Sequence, residues 1–79
     1  MSSNVNNTIK EIFFEIFPEL NNSNFNWNKK QIDFENWDSF SHLNLITVLE
    51  EKFNIRIPDS DSLNIKSAKD ALNFVNSRK

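Results

Sequence analysis

The chain contains no cysteine, no glycine and no tyrosine, and a single histidine, His42, among its 79 residues. Without cysteine it has neither a disulfide framework nor a thiolate metal site. One histidine leaves zinc without a His/Cys ligand set. The absence of glycine removes every Gly-rich phosphate-binding loop. No apolar run approaches the ~18 residues of a membrane-spanning helix, and the polar stretch Met1–Asn7 lacks the basic-then-apolar pattern of a secretion signal. The expectation is a cytoplasmic protein with no membrane partner. A chain this short buries only about 60% of its unfolded surface, enough for one modest core and little room for a deep catalytic cleft. No nucleophile–base pair or metal set is apparent, so no catalytic residue is assigned and an enzyme is not expected. Residues 1–79 read as one domain and a monomer, with residues 1–6 flexible and a short loose margin near Lys79.

The net charge is −2. Residues 1–30 are balanced, with Glu11, Glu15 and Glu19 against Lys10, Lys29 and Lys30. Residues 31–61 carry Asp33, Glu35, Asp38, Glu50, Glu51, Asp59 and Asp61 against Lys52 and Arg56, a balance of −5. Residues 62–79 carry Lys66, Lys69, Arg78 and Lys79 against Asp70, a balance of +3. An acidic middle repels nucleic acid and attracts basic protein surfaces. The basic tail complements the negative end of a terminal helix, so no nucleic-acid partner is expected.

What is present is helical periodicity. Ile9, Ile12, Phe13, Ile16, Phe17 and Leu20 fall at i, i+3, i+4, i+7, i+8 and i+11, which predicts an amphipathic helix over 8–20. Thr8 and Glu11 fit a capping box, although a start near Ser3 is open, and Pro18 ends or bends the helix near Phe17. Residues 21–37 form a long Asn-rich connection, pinned by Phe25, Trp27, Ile32, Phe34 and Trp37. A second helix runs over 39–53. Asp38 is its N-cap, Leu43, Ile46, Leu49 and Phe53 form its inner stripe with Leu45, and Asn54 stops it in the left-handed region. Residues 55–58 read as extended. Residues 59–64 form one short turn, with Leu63 and Ile65 pointing inward. Ser67 caps a last helix with Asp70 in its first turn, and Ala68, Ala71, Leu72 and Val75 make the inner face with Phe74 beside them. The fold class is all-α: a four-helix bundle with a very short third helix and a long loop between the first two helices.

The run Asp38-Ser39-Phe40, then Leu43, Leu45, Ile46, Leu49, Glu50-Glu51-Lys52-Phe53, then Ile55-Arg56-Ile57-Pro58, resembles the acyl carrier protein family. In that family an Asp-Ser-Leu signature opens the second helix. The acidic short turn 59–63 and the Ser67-capped helix extend the likeness without a gap to Val75, and the first helix matches in pattern. The resemblance implies a non-catalytic carrier that holds an acyl group as a thioester on a 4′-phosphopantetheine arm. Ser39 is the attachment residue, and Asp38 serves as helix cap and in transferase recognition. The implied partners are a phosphopantetheinyl transferase and acyl-loading and acyl-processing enzymes of fatty acid or polyketide type. Partners are expected over the second helix at Phe40, Asn44, Thr47, Val48 and Glu51. Ser41, Asn44 and Thr47 stand where family members often carry acids, while Glu50, Glu51, Asp59 and Asp61 remain. That shift points to a dedicated pathway.

Two alternatives share the same pattern. One is a peptidyl or aminoacyl carrier, whose usual Gly-Gly-x-Ser start is missing here. The other is a helical adaptor that is never modified, in which Asp38 and Ser39 are only a capping pair. Phe40 reads equally as core packing against the loop aromatics or as an exposed partner contact. His42 lies three residues after Ser39 on the same face and reads as a solvated surface residue, with contact to the arm's phosphate as the other possibility. Phe13, Phe17, Phe53 and Phe74 point inward and Trp27, Phe34 and Trp37 cover them. Rigid rings at native density leave little room for a preformed acyl tunnel, so short or polar cargo outside the bundle is expected.

Overall fold

The computed structural model describes residues 2–78. The order is α1 (Ser2–Ile16), a long loop with one 3-10 turn at Gln31–Asp33, α2 (Ser39–Phe53), α3 (Asp59–Ser62) and α4 (Ala68–Ser77). This is the all-α bundle the periodicity implies, with α1 lying against both α2 and α4. No helix among the described residues is long and apolar enough to cross a membrane.

In α1, Val5, Ile9, Ile12 and Phe13 are buried, and Phe17 and Leu20 continue the stripe past the helix end. Val5 explains why the helix starts ahead of Thr8. It sits four residues before Ile9, extends the same apolar face and is buried with it. Thr8 therefore lies inside the helix and not at its N-cap, and α1 is helical from Ser2 on. Met1 and Lys79 lie outside the described residues. At the other end Pro18 follows the last helical hydrogen bond, from the Phe17 N–H to the Phe13 carbonyl.

The loop is ordered in two ways. Its asparagines close local turns: Asn21 Oδ1 accepts from the Ser23 N–H at 2.8 Å, and Asn24 Oδ1 accepts from the Asn21 N–H at 2.7 Å. Its rings pack edge to face on α1, Phe25 on Phe13 and Phe14, and Trp37 on Phe13. The backbone also joins the start of α4. The Gln31 N–H donates to the Lys66 carbonyl at 2.6 Å, the Lys69 N–H donates to the Trp27 carbonyl at 3.0 Å, and Lys30 pairs antiparallel with Ser67. Of the expected pins, Trp37 is buried and Phe25, Trp27 and Phe34 pack against the core. Ile32 does not: it is 88% exposed, because the 3-10 turn carries it outward while Phe34 takes the inward position.

Caps set both ends of α2. The Asp38 side chain accepts from the Ser41 N–H, and Asn54 adopts φ 53°, ψ 50°. Glu50 then secures the extended 55–58 segment, its Oε2 accepting from the Ile57 N–H at 2.8 Å. In α4, Ser67 Oγ accepts from the Asp70 N–H at 3.1 Å, and Asp70 Oδ2 accepts from the Lys66 N–H at 3.1 Å. Ala68, Ala71 and Val75 form its buried face, with Leu72 and Phe74 packed against it.

The inner stripe of α2 is Leu45, Ile46 and Leu49. Leu43 is not part of it and is 67% exposed. Three residues cover about 300° of helix, so Leu43 lies ~60° round from Ile46, away from the face centred on Leu49. Leu63 is also outside, at 72% exposed, whereas Ile65 is buried. Leu63 ends the α3 turn, and the chain enters the core only after Asn64. Ile65→Ala should therefore cost about 2–5 kcal/mol, and Leu63→Ser should stay within about 0.5 kcal/mol of the parent. Denaturant unfolding of the two variants checks this, and the opposite order would reverse the assignment.

Candidate functional site

Ser39 is the first residue of α2 and is exposed. Its hydroxyl makes no hydrogen bond among the described residues. Its neighbours are fixed on both sides. Asp38 Oδ1 accepts from the Ser41 N–H at 2.9 Å, and Ser41 Oγ donates to the Asn36 carbonyl at 2.8 Å. The loop end and the first turn of α2 are thus tied together around a free serine. The Ser41 N–H holds the Asp38 carboxyl below its ordinary pKa, since it bonds the charged form. A helix start also presents N–H groups without intrahelical acceptors and the positive end of the helix dipole. An exposed serine hydroxyl therefore stands at a helix start whose Ser41 N–H is taken by the Asp38 carboxylate. No cluster of His, Cys, Asp or Glu among the described residues is arranged to hold a metal ion.

His42 is half-buried and not the solvated residue its spacing suggests. Its ring stacks on Trp37 at 5.9 Å, and its Nδ1 accepts from the Trp37 Nε1–H at 3.0 Å. Its Nε2 lies 2.9 Å from the Ser62 carbonyl oxygen and 3.2 Å from Ser62 Oγ. The indole nitrogen can only donate, so Nδ1 is the acceptor and the proton sits on Nε2, which donates to Ser62. One side chain therefore links the tryptophan before Ser39 to the end of α3. Sequence reasoning missed this bridge because neither Trp37 nor Ser62 stands at a helical spacing that marks them as partners.

Phe40 resolves to the exposed reading, at 74%. Asn44, Thr47 and Glu51 are exposed with it, while Val48 packs partly against the core. At about 100° per residue Phe40, Asn44, Thr47 and Glu51 lie within a narrow arc opposite Leu49, with Leu43 on one flank and Val48 on the other. The acids expected as a recognition surface divide. Glu51 and Asp59 are exposed, Glu50 is committed to the Ile57 N–H, and Asp61 pairs with Arg78 at 3.3 Å.

His42→Ala should leave the Trp37 N–H without a partner and the Ser62 carbonyl with only the Ile65 N–H, and destabilise the protein by about 1–3 kcal/mol. Denaturant unfolding measures that loss. Long-range nitrogen correlation of the imidazole should show the proton on Nε2, and a proton on Nδ1 would exclude the bridge.

No protein-family model matches the chain. A protein from Ureaplasma parvum named acyl carrier protein homolog is 34% identical over 73 residues, covering 92% of this chain and 91% of its own length. The acyl carrier protein of Thermosynechococcus vestitus is 40% identical over 43 residues, covering 54% of this chain and 53% of its own length. That of Campylobacter jejuni is 43% identical over 42 residues, with 53% and 54% covered. Against these last two the chain spans about half the relative's length. The Ureaplasma relative runs almost from end to end of the helical bundle, and on that likeness the chain belongs to the acyl carrier protein family.

Proposed function

We propose that Ser39 carries a 4′-phosphopantetheine arm and that the protein holds acyl groups on it as thioesters for partner enzymes of a dedicated pathway. The observation that supports this reading best is the free, exposed hydroxyl at the capped start of α2. In the loading step Ser39 Oγ attacks a phosphorus of the coenzyme A pyrophosphate. The serine–phosphorus bond forms, the phosphorus–oxygen bond to the nucleotide breaks, and 3′,5′-adenosine bisphosphate leaves. The serine proton passes to a base of the transferase. The product is a phosphodiester anion, which the helix start favours. The arm supplies the thiol that forms the thioester, and this chain's own residues position it. Asp38 holds the first turn in place and is offered to the transferase for recognition. The carrier acts as a cytoplasmic monomer and leaves the chemistry to its partners.

Those partners dock over the outer face of α2, on Phe40, Asn44, Thr47, Val48 and Glu51. Leu43 belongs with them, since it and Phe40 are large apolar side chains that folding leaves exposed near Ser39. Exposed aromatic anchors carry a large share of interface energy.

The test is to incubate the protein with coenzyme A, Mg²⁺ and a broad-specificity phosphopantetheinyl transferase and to measure intact mass. One phosphopantetheinyl group should be gained by the parent and none by Ser39→Ala. No gain in the parent, with the transferase active on a control carrier, would favour an unmodified adaptor. Phe40→Ser should lower the transferase kcat/KM about tenfold, equivalent to ~1.4 kcal/mol of lost contact, with Tm unchanged. An unchanged kcat/KM would move the docking face elsewhere.

A further inference from the structure

The loop and the segment before α4 form a groove of about 610 Å³. That is within the ~300–1,000 Å³ range of small-molecule sites. Its lining is Lys30, Gln31, Ile32, Phe34, Trp37 and Lys66. Trp37 precedes Ser39 by two residues, so their Cα atoms are at most about 7 Å apart. A group tethered to Ser39 therefore begins two residues along the chain from a residue that lines the groove.

The groove is built, not a gap between mobile segments. Besides the Gln31–Lys66 backbone bond and the Lys30–Ser67 pairing, Gln31 Nε2 donates to the Trp37 carbonyl at 3.2 Å, closing one wall onto the other. Trp37 and Phe34 give an aromatic floor, their rings 5.0 Å apart and edge to face. Ile32 adds an apolar side chain that folding leaves in water.

The charged side chains that line it are both lysines. Lys30 and Lys66 are exposed and in no ion pair among the described residues. No carboxylate lines it. The loop's acids, Asp33 and Glu35, line a different hollow with Glu19 and Lys29. Asp70 stands beside the groove without lining it, its Oδ2 accepting from the Lys66 backbone N–H at 3.1 Å. In a chain of net charge −2, a cationic groove with an apolar floor next to the attachment serine favours an anion joined to a short apolar stem.

We infer that this groove is a cargo subsite for a short acyl group ending in a carboxylate. The acyl stem lies along Ile32 and Trp37, and the carboxylate is within reach of the Lys30 and Lys66 ammonium groups. This deepens the carrier reading and rests on Ser39 bearing the arm. It also agrees with an interior filled by Phe13, Phe17, Leu45 and Leu49, all fully buried, which leaves cargo outside the bundle.

The test is to load the protein from succinyl-coenzyme A or from butyryl-coenzyme A with a transferase that accepts acylated substrate. The two cargoes have equal chain length and differ in the terminal charge. Intact mass confirms each loading. Amide shifts of Lys30, Ile32 and Lys66 and the indole N–H shift of Trp37 are then compared. The succinyl form should shift all four, the butyryl form should leave them near the values of the unacylated arm, and Lys30→Gln with Lys66→Gln should abolish the difference. Equal shifts with both cargoes, or no shift in the groove with a mass-confirmed succinyl group, would overturn the subsite while leaving the carrier intact. A protein that gains no mass from either substrate would fail at Ser39 itself, and the subsite would fall with the arm. Shifts produced by a free acidic peptide but not by tethered succinate would assign the groove to a protein partner and overturn the cargo reading.

Discussion

The rest of the site depends on how Trp37 is buried. Its ring meets Phe13 and Phe17 at the end of α1 and Phe34 in the loop. Its carbonyl accepts from Gln31, and its indole N–H is taken by His42. A buried indole is stable only when its N–H has a partner, and here that partner is itself anchored on α3 through Ser62. The residue two before Ser39 is therefore fixed by α1, by the loop and, through one histidine, by α3. The position of Ser39 is set by the core and not by the long loop that leads to it.

That loop would be costly if it were held only at its ends. Fixing each backbone residue costs roughly 1–2 kcal/mol in entropy, which local and tertiary contacts must offset. The asparagines do so locally, with side chains that replace missing backbone partners in tight turns. The aromatic residues do so by burial against α1. The backbone bonds to Lys66 and Lys69 do so by giving the loop a neighbour along part of its length. Because the loop is joined to the start of α4 and its aromatics rest on α1, it behaves as a layer of the bundle. This is why a groove between the loop and α4 can have defined walls.

How legible this was in the sequence varies with the kind of signal. The caps of α2 and α4 were readable because an Asp or Ser before an apolar stripe, and an Asn after one, act through local backbone chemistry that tertiary packing did not override. The start of α1 was legible only as the alternative near Ser3, because Thr8 and Glu11 satisfy a local rule while Val5 satisfies a stronger tertiary one. Leu43 was assigned inward by helical periodicity and Leu63 and Ile32 by hydrophobicity, and folding left each of them in water. Apolar character says that burial is favourable, not that a neighbour exists to provide it. Ser39 was singled out only through the order of motifs around it, since an Asp–Ser pair by itself is an ordinary cap. The His42 bridge was not legible at all: it joins residues 5 and 20 positions apart along the chain, and no periodicity links them.

The residues that folding leaves unpaired around Ser39 fall into two groups of different chemistry. On the outer face of α2 are Phe40 and Leu43, with Glu51 and Asp59 exposed further along. On the loop side are Ile32, Lys30 and Lys66. The separation follows from the backbone. Asp38 keeps its carboxylate on the Ser41 N–H at the start of α2. Asp61 is held by Arg78, so less negative charge remains free on α3. Ser39 lies on the boundary between an apolar-acidic face and an apolar-basic one. The arm proposed for Ser39 would be rooted between a face suited to a partner's basic surface and the groove proposed for an anionic cargo. Both environments are set by which charges the fold has already paired.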